Sequence, residues 1–464
     1  MPGIGVALSG GGHRASVFGL GALLYLADAG RNRNVTSIAS VSGGSITNAF
    51  VAQAVDYAGA SAPEVRSAVT PLVQRLARSG TVWASPLIWL YLAGMIGLAV
   101  TVLAGPWLLP VPAWLRVVIF ALGGMVLAVY AGWRGIVCGR ALATILFSPD
   151  GSPTSLASTG RRPVDHVLCA TDLHAGEHVY FSGRFVCAYR FGFGVPGDLP
   201  LHVAVQASAA LPGAFPPRWL PTGRHRFQEA RDQAGGRARR MALVDGGVYD
   251  NMGDQWPQRV AVRNRRWAAL APDLPEPDQV VVVNASGGLG WRSMARLRLP
   301  LLGELFALLR DKDVLYDNGT TVRRQAIVAA FDGAAREGRP GGGALVHITS
   351  SPFNVVDGFL DSTSWPDRAA RARAVLDVLG GDPARNAWAA AARENAQVPT
   401  TLRALGEERT VGLLRHGYAL AMANLHVLLD YPLLAVPSPS SLRQLLQPGT
   451  EDREDHRATN PSPA

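Results

Sequence analysis

Within its first 58 residues the chain twice repeats one pattern: a short apolar run, a turn of very small residues, then an apolar helical segment. Ile4–Leu8 reads as a buried strand ending at Gly10-Gly11-Gly12-His13-Arg14. Residues 15–28 follow as a helix, with Val17, Leu20, Leu23, Leu24 and Ala27 on one face. Val35–Val41 is the second strand and runs into Ser42-Gly43-Gly44, from which residues 45–58 leave as a helix. Two β-turn-α units in succession predict an α/β fold built on a mostly parallel sheet covered by helices.

That pattern breaks after Arg78. No charged residue occurs before Arg116, and residues 86–105 are apolar apart from Tyr91 and Thr101. Pro106, Pro110 and Pro112 interrupt the run, and residues 117–133 form a second uncharged stretch. A membrane helix needs ~20 apolar residues, with ~17 near the lower limit. Trp83, Trp89, Trp107, Trp114 and Trp133 stand near the ends of the two runs, where interfacial aromatics are expected. The reading is a transmembrane helical hairpin that returns the chain to its starting side. A cap lying in the membrane surface and a pair of buried core helices are the alternatives. Arg75, Arg78, Arg134 and Arg140 flank the hairpin against Arg116 in its turn, which puts the flanks on the cytoplasmic side of a cytoplasmic membrane.

The hairpin explains a mean hydropathy of +0.13 in a 464-residue chain. The formal charge of +9 is carried by arginine, with Lys312 the single lysine, and no nucleic-acid partner is read from it. Cys138, Cys169 and Cys187 are too few and too scattered for a disulfide framework or a metal site, and reduced thiols are expected. Met1-Pro2-Gly3-Ile4 lacks a basic n-region, so no signal peptide is expected there. Beyond Gly151 further strands are expected at 166–170, 184–191, 243–244, 279–284 and 344–349, and helices at 366–379 and 399–429. Residues 221–240, rich in arginine and turn residues, read as a surface loop. The Ser- and Pro-rich stretch 437–464 reads as a disordered tail. The division is therefore 1–80 and 141–436 for the α/β domain, 81–140 for the hairpin and 437–464 for the tail.

Three short motifs carry chemistry. The glycine triplet offers bare backbone N–H groups at a helix start, where a developing oxyanion can be held. It lacks the lysine and the glycine spacing of a nucleotide-phosphate loop. Ser42 sits on a tight strand-to-helix turn of the kind that exposes a nucleophilic hydroxyl. Asp245 ends the run Ala242-Leu243-Val244 and precedes Gly246-Gly247, which makes it a candidate base for the serine proton. His174 and His178 are expected at the surface. Asp172 and Asn251 are expected to hold loops through backbone hydrogen bonds.

In that order the glycine loop, serine elbow and Asp-Gly-Gly resemble the patatin-like phospholipases. Cys169-Ala170-Thr171-Asp172-Leu173, the segment 207–217 and Asp245-Gly246-Gly247-Val248-Tyr249-Asp250-Asn251 agree with the resemblance, which covers roughly residues 4–58 and 165–290. It implies a three-layer patatin-like sheet into which the hairpin is inserted. It also implies a Ser–Asp dyad without catalytic histidine: Ser42 as nucleophile and Asp245 as base. Gly11, Gly12 and His13 would form the oxyanion hole through their backbones. Gly10, Arg14, Gly43, Gly44, Gly246 and Gly247 would be supporting positions of the motifs. Ser9, Ala15 and Ser40 depart from the family's pattern. The implied activity is hydrolysis of fatty-acyl esters of a membrane phospholipid or other acyl lipid at the bilayer, with no cofactor and no metal. Acyl transfer to a second lipid through the same dyad and a catalytically silent membrane scaffold are the rival readings. Headgroup, sn-position and oligomeric state are not legible.

Overall fold

Strands apolar on both faces need cover on both faces, and that requirement sets the architecture. The structure is a computed structural model and describes residues 2–229, 238–270, 273–290, 293, 302–338 and 342–447. β1 (Ile4–Leu8), α1 (Gly12–Asp28), β2 (Val35–Val41) and α2 (Gly43–Ala54) open the chain. After α3 (Ala62–Arg78) come the two long apolar helices α4 (Pro86–Leu108) and α5 (Ala113–Gly132), then α6 (Arg134–Leu146). The middle of the chain supplies β3 (Asp165–Asp172), β4 (Glu177–Phe181), β5 (Val186–Ala188), β6 (Gly192–Gly194), α7 (Leu201–Ser208), β7 (Arg218–Pro221) and β8 (Arg240–Asp245). The remainder is α8 (Gln255–Gln258), α9 (Val260–Arg266), β9 (Gln279–Asn284), α10 (Leu302–Arg336), β10 (Gly342–His347), α11 (Phe353–Phe359), α12 (Pro366–Val378), α13 (Arg385–Gln397), α14 (Glu407–Leu429) and α15 (Pro439–Gln444).

The sheet order is β10-β9-β1-β2-β3-β4-β5-β6, with β8 beside β3 and β7 beside β8. Pairing is parallel from β10 through β3 and antiparallel beyond. Side chains alternate between the two faces, as the strand period demands. Val6, Leu8, Ile38, Leu168, Val281 and Val283 join the core that holds α1, α2, α3 and α14. Ala39, Val41, Val167 and Cys169 meet Trp256 and Val260 of α8 and α9, and Ala7, Val280 and Val282 meet Ile327 and Phe331 of α10. The result is the expected three-layer α/β arrangement. α1 is buried from Gly12 to Ala27, because the sheet, α2, α3 and α14 surround it.

β1, β2 and β9 have the expected bounds. Four expectations change. Of the strand expected at 184–191 only β5 forms; a turn at 189–191 then leads into β6, whose first residue, Gly192, has φ 101°. The helix expected over 399–429 begins only at Glu407. Before it, residues 398–406 are a loop whose Leu405 amide donates to the Leu76 carbonyl. Within the expected tail, α15 buries Leu442 and the turn after it buries Leu446 in the main core, while residues 448–464 lie outside the described residues. α10 was not anticipated, since its apolar residues do not gather on one face.

α4 and α5 are each long and apolar enough to cross a membrane. They pair through Tyr91 and Tyr130, whose rings stack at 4.9 Å and whose hydroxyls each donate to the other's carbonyl oxygen. Their outer faces stay bare: Leu103, Val117, Met125 and Val129 are exposed, as are Trp89 and Trp133 at the base and Trp107 and Trp114 at the tip.

Burial holds six histidines neutral, lowering the pKa to about 4 for His13, His178, His202, His347 and His416 and to about 3 for His166. The unfolded chain binds these protons near pH 6.5 while the native state does not, so stability is full above that pH and is lost as pH falls toward 4. The denaturation midpoint is expected to drop steeply between pH 6.5 and 4.5. Replacing His166 by a neutral residue should flatten the slope.

Candidate active site

The motif strands converge on one edge of β3. β2 places Val41 opposite Cys169, and β8 places Asp245 opposite Ala170. β4 takes the other edge of β3 through the same stretch, pairing Cys169 with Tyr180 and Ala170 with Val179. β2 and β8 therefore lie on the same side of β3 and run toward each other, and their C-terminal ends meet at adjacent positions. Gly246 closes the junction. A Cβ there would stand 2.2 Å from the Cys169 carbonyl oxygen and 3.3 Å from Val41 Cγ1. Ser42 and Asp245 are thus brought together.

Ser42 has φ 50° and ψ −117°, a conformation that costs a non-glycine residue about 1–3 kcal/mol. Its surroundings hold it there. The Ser42 amide donates to both the carbonyl (3.2 Å) and Oγ (3.1 Å) of Ser208, and Ser208 Oγ donates to the Cys169 carbonyl at 2.6 Å. From Ser208 a buried polar chain continues through Ser45 (2.8 Å), Ser40 (3.0 Å) and Asn48 (2.9 Å) to His166 Nδ1 (2.7 Å). The Ser40 hydroxyl is a link in that chain. Ser42 itself is only half-buried.

The glycine turn packs against the elbow backbone to backbone. A Cβ on Gly43 would lie 2.0 Å from the Gly12 carbonyl oxygen and 2.6 Å from its nitrogen. Gly44 rests on the carbonyls of Leu8 and Ser9. Gly10 donates to the Asn251 carbonyl at 2.9 Å, and a Cβ on it would be 3.2 Å from Ser42 Cβ. Gly11, at φ 140°, turns the chain into α1. Among the described residues the Gly11 and Gly12 amides have no acceptor. The third expected donor differs: the His13 amide donates to the Thr401 carbonyl at 2.9 Å, because the 398–406 loop lies across the head of α1. The available donors narrow to Gly11 and Gly12.

The His13 side chain is spent as well, bonding Arg403 O at 2.8 Å and Thr81 Oγ1 at 2.9 Å. Arg14 braces the turn from behind. Its guanidinium donates to the carbonyls of Ala285 (3.0 Å), Val398 (2.6 Å) and Ala396 (3.4 Å), and burial lowers its pKa to about 10.

Asp245 is buried and accepts from the Gly247 amide at 2.8 Å, while its own amide donates to the Ala210 carbonyl at 2.9 Å. His178, expected at the surface, is buried: its Nε2 donates to the Gly246 carbonyl at 2.9 Å and so fixes the turn after Asp245. His174 is exposed, and Asp172 ties the amides of Ala175 and Ala242, both as expected.

Two residues of α10 were missed. The Tyr316 hydroxyl donates to Asn251 Oδ1 at 2.5 Å and lies 1.9 Å from where a Gly247 Cβ would stand. Burial and the nearby Asp245 charge push the Tyr316 phenol up, so it stays protonated. Seven residues on, a spacing that keeps one helix face, Arg323 holds Asp254 through two bonds (2.8 and 3.1 Å) and Asp250 at 3.3 Å. Burial, then Asp250, raises the Asp254 carboxyl to about 7 against the pull of Arg323. No local motif marks either residue; only the course of α10 across the site brings them in. Among the described residues no group of three or more His, Cys, Asp or Glu side chains is placed to hold a metal ion.

No protein-family model matches the sequence, and no curated protein matches it. Among solved structures, human GIVD cytosolic phospholipase A2 in complex with methyl gamma-linolenyl fluorophosphonate is similar at 14% identity and a TM-score of 0.40, covering 99% of this chain and 60% of that one. The same human enzyme without that ligand gives 14% identity and 0.37, over 67% and 48%. VipD from Legionella pneumophila gives 12% and 0.27, over 97% and 88%. The chain thus spans about half to three-fifths of the length of the human chains. The chemical reading rests on the geometry of the site.

Gly43→Ala is expected to prevent folding or to lower stability by about 3 kcal/mol or more, since the Cβ meets backbone that cannot yield. Urea unfolding checks this, with Gly288→Ala, which meets open space, as the control.

Proposed function

We propose that this chain is a membrane-attached serine acyl hydrolase of the patatin-like type. The observation that carries the reading is the head-on meeting of β2 and β8 along β3, which sets a strained, half-buried serine beside a buried aspartate. Asp245 takes the proton of the Ser42 hydroxyl as Oγ attacks the carbonyl of a fatty-acyl ester. The tetrahedral oxyanion is held by the Gly11 and Gly12 amides, which α1 aims from its positive end. Collapse expels the alcohol, which takes the proton from Asp245, and leaves an acyl-serine. Asp245 then takes a proton from a water molecule as its oxygen attacks the acyl carbonyl; collapse breaks the bond to Ser42 Oγ, releases the fatty acid, and Asp245 returns the proton to Oγ. The base needs no histidine. The one histidine at the glycine turn is held by two bonds and kept neutral by burial.

A membrane lipid is the proposed substrate because the site and the hairpin share a foundation. Arg134, just beyond the hairpin, donates to the Ala214 carbonyl at 2.8 Å, and Gly135 and Gly139 of α6 lie against Gln206 of α7. α7 ends at Ser208, which holds the Ser42 amide. At ~1.5 Å per residue the 23 residues of α4 reach about 34 Å, enough for a ~30 Å hydrocarbon core. The arginine asymmetry around the hairpin sets the catalytic domain on the cytoplasmic side of the membrane.

Ser42→Ala and Asp245→Asn are expected to lower ester hydrolysis by about 10³-fold or more without loss of fold. A fluorophosphonate should label the parent protein at Ser42 and leave Ser42→Ala unlabelled. Full turnover in both variants, or no labelling of folded parent protein, overturns the assignment in favour of a silent scaffold. Release of free acid from a labelled phospholipid, instead of a new ester, separates hydrolysis from acyl transfer. The intact chain should also stay in the membrane pellet on alkaline carbonate extraction. A form in which a short Gly-Ser linker replaces 86–133 should move to the supernatant.

A further inference from the structure

A cavity of about 1050 Å³ opens beside β10, the edge strand of the sheet, away from Ser42 and Asp245, neither of which lines it. α10, α11, α12 and the end of α14 form its walls. The volume is at the top of the ~300–1,000 Å³ range of small-molecule sites. Val328, Phe331, Phe359, Leu428 and Leu429 make one part of the lining apolar.

The charged part is unbalanced. Three arginines (324, 368 and 371) face two aspartates (332 and 430), and no glutamate or lysine lines the cavity, so 3 − 2 leaves one positive charge. Asp332 lies near Arg368, which stacks over Trp365, and Asp430 pairs with Arg371 at 3.4 Å. Arg324 is the one left over: among the described residues it has no carboxylate partner and donates instead to His347 Nε2. A ring nitrogen that accepts from a guanidinium carries no proton, so the imidazole proton sits on Nδ1. That N–H has no exposed surface and lies near the Asn284 carbonyl, so it is not offered to the cavity. Arg324, braced by the His347 ring, is therefore the cation that faces this partly apolar cavity without a carboxylate of its own.

We propose that this cavity binds a long-chain carboxylate, with a free fatty acid as its occupant. Its head accepts from the Arg324 guanidinium, and its chain lies along Val328, Phe331, Phe359 and Leu428. A carboxylate suits a planar guanidinium that has no acidic partner of its own. This binding does not depend on the hydrolase reading, and it is measured in the intact Ser42→Ala chain so that the two can fail separately.

The probe is a medium-chain fatty acid with a terminal alkyl diazirine, photolysed on the membrane-reconstituted protein and mapped by peptide mass spectrometry. Label is expected on α11 and the end of α14. The matching diazirine alcohol should label these segments about tenfold less, as should Arg324→Gln, whose unfolding midpoint stays at the parent value. Arg324→Lys should retain part of the labelling. Val328→Trp, which fills the cavity and leaves its charges alone, should abolish it. Equal labelling by acid and alcohol, undiminished labelling of Arg324→Gln, or label confined to other segments would sink the proposal. Stronger protection by an alkyl phosphate than by unlabelled fatty acid would overturn the choice of a carboxylate.

Discussion

Everything at the candidate site depends on how one strand edge is shared. β3 offers more edge than β2 covers, and β8 takes up the remainder from the opposite direction. Ordinary ladder hydrogen bonds thereby position two side chains that no local sequence relation could bring together. The junction is sealed by backbone contacts: the Cys169 carbonyl accepts from Ser208 and sits directly under Gly246. An error of one residue in either register would turn Ser42 or Asp245 to the opposite face of the sheet.

Burial and satisfied polar groups make the junction rigid. The chain from Ser208 to His166 runs beneath the elbow, and its low-dielectric setting strengthens each bond while making any missing partner costly. The same logic applies above the site, where α10 crosses the Asp-Gly-Gly turn. Tyr316 and Arg323 tie it to Asn251 and Asp254, two buried polar residues beyond that turn. The next residue, Arg324, belongs to the cavity beside β10. One helix thus borders both the serine site and the cationic cavity.

The apolar hairpin is continuous with this scaffold. α6 carries the chain from α5 back against α7, and α7 ends on Ser208, which holds the Ser42 amide. The bare outer faces of α4 and α5 have no cover within the described chain, and their tryptophans sit at both ends, where an interface between water and lipid would place them.

Much of this was legible in the chain's order of residues. β1, β2 and β9 announce themselves because strands buried on both faces must be apolar throughout, and the hairpin because Arg116 is the one charge between its two apolar runs. The elbow and the glycine turn are visible because backbone packed against backbone leaves no room for a Cβ at Gly43. α10, the buried His178 and the commitment of the His13 amide to Thr401 were not legible. Each depends on a partner far away in the chain, and none carries a local signature: α10 has no apolar stripe along its full length, and a histidine beside a turn looks solvated until the turn folds over it. Sequence alone determined which elements form and which residues have the chemistry to react, since periodicity and side-chain type are local properties. Tertiary structure decided which of those residues meet and which donors remain free, because that depends on how distant strands share an edge and on which loop arrives at a helix end first.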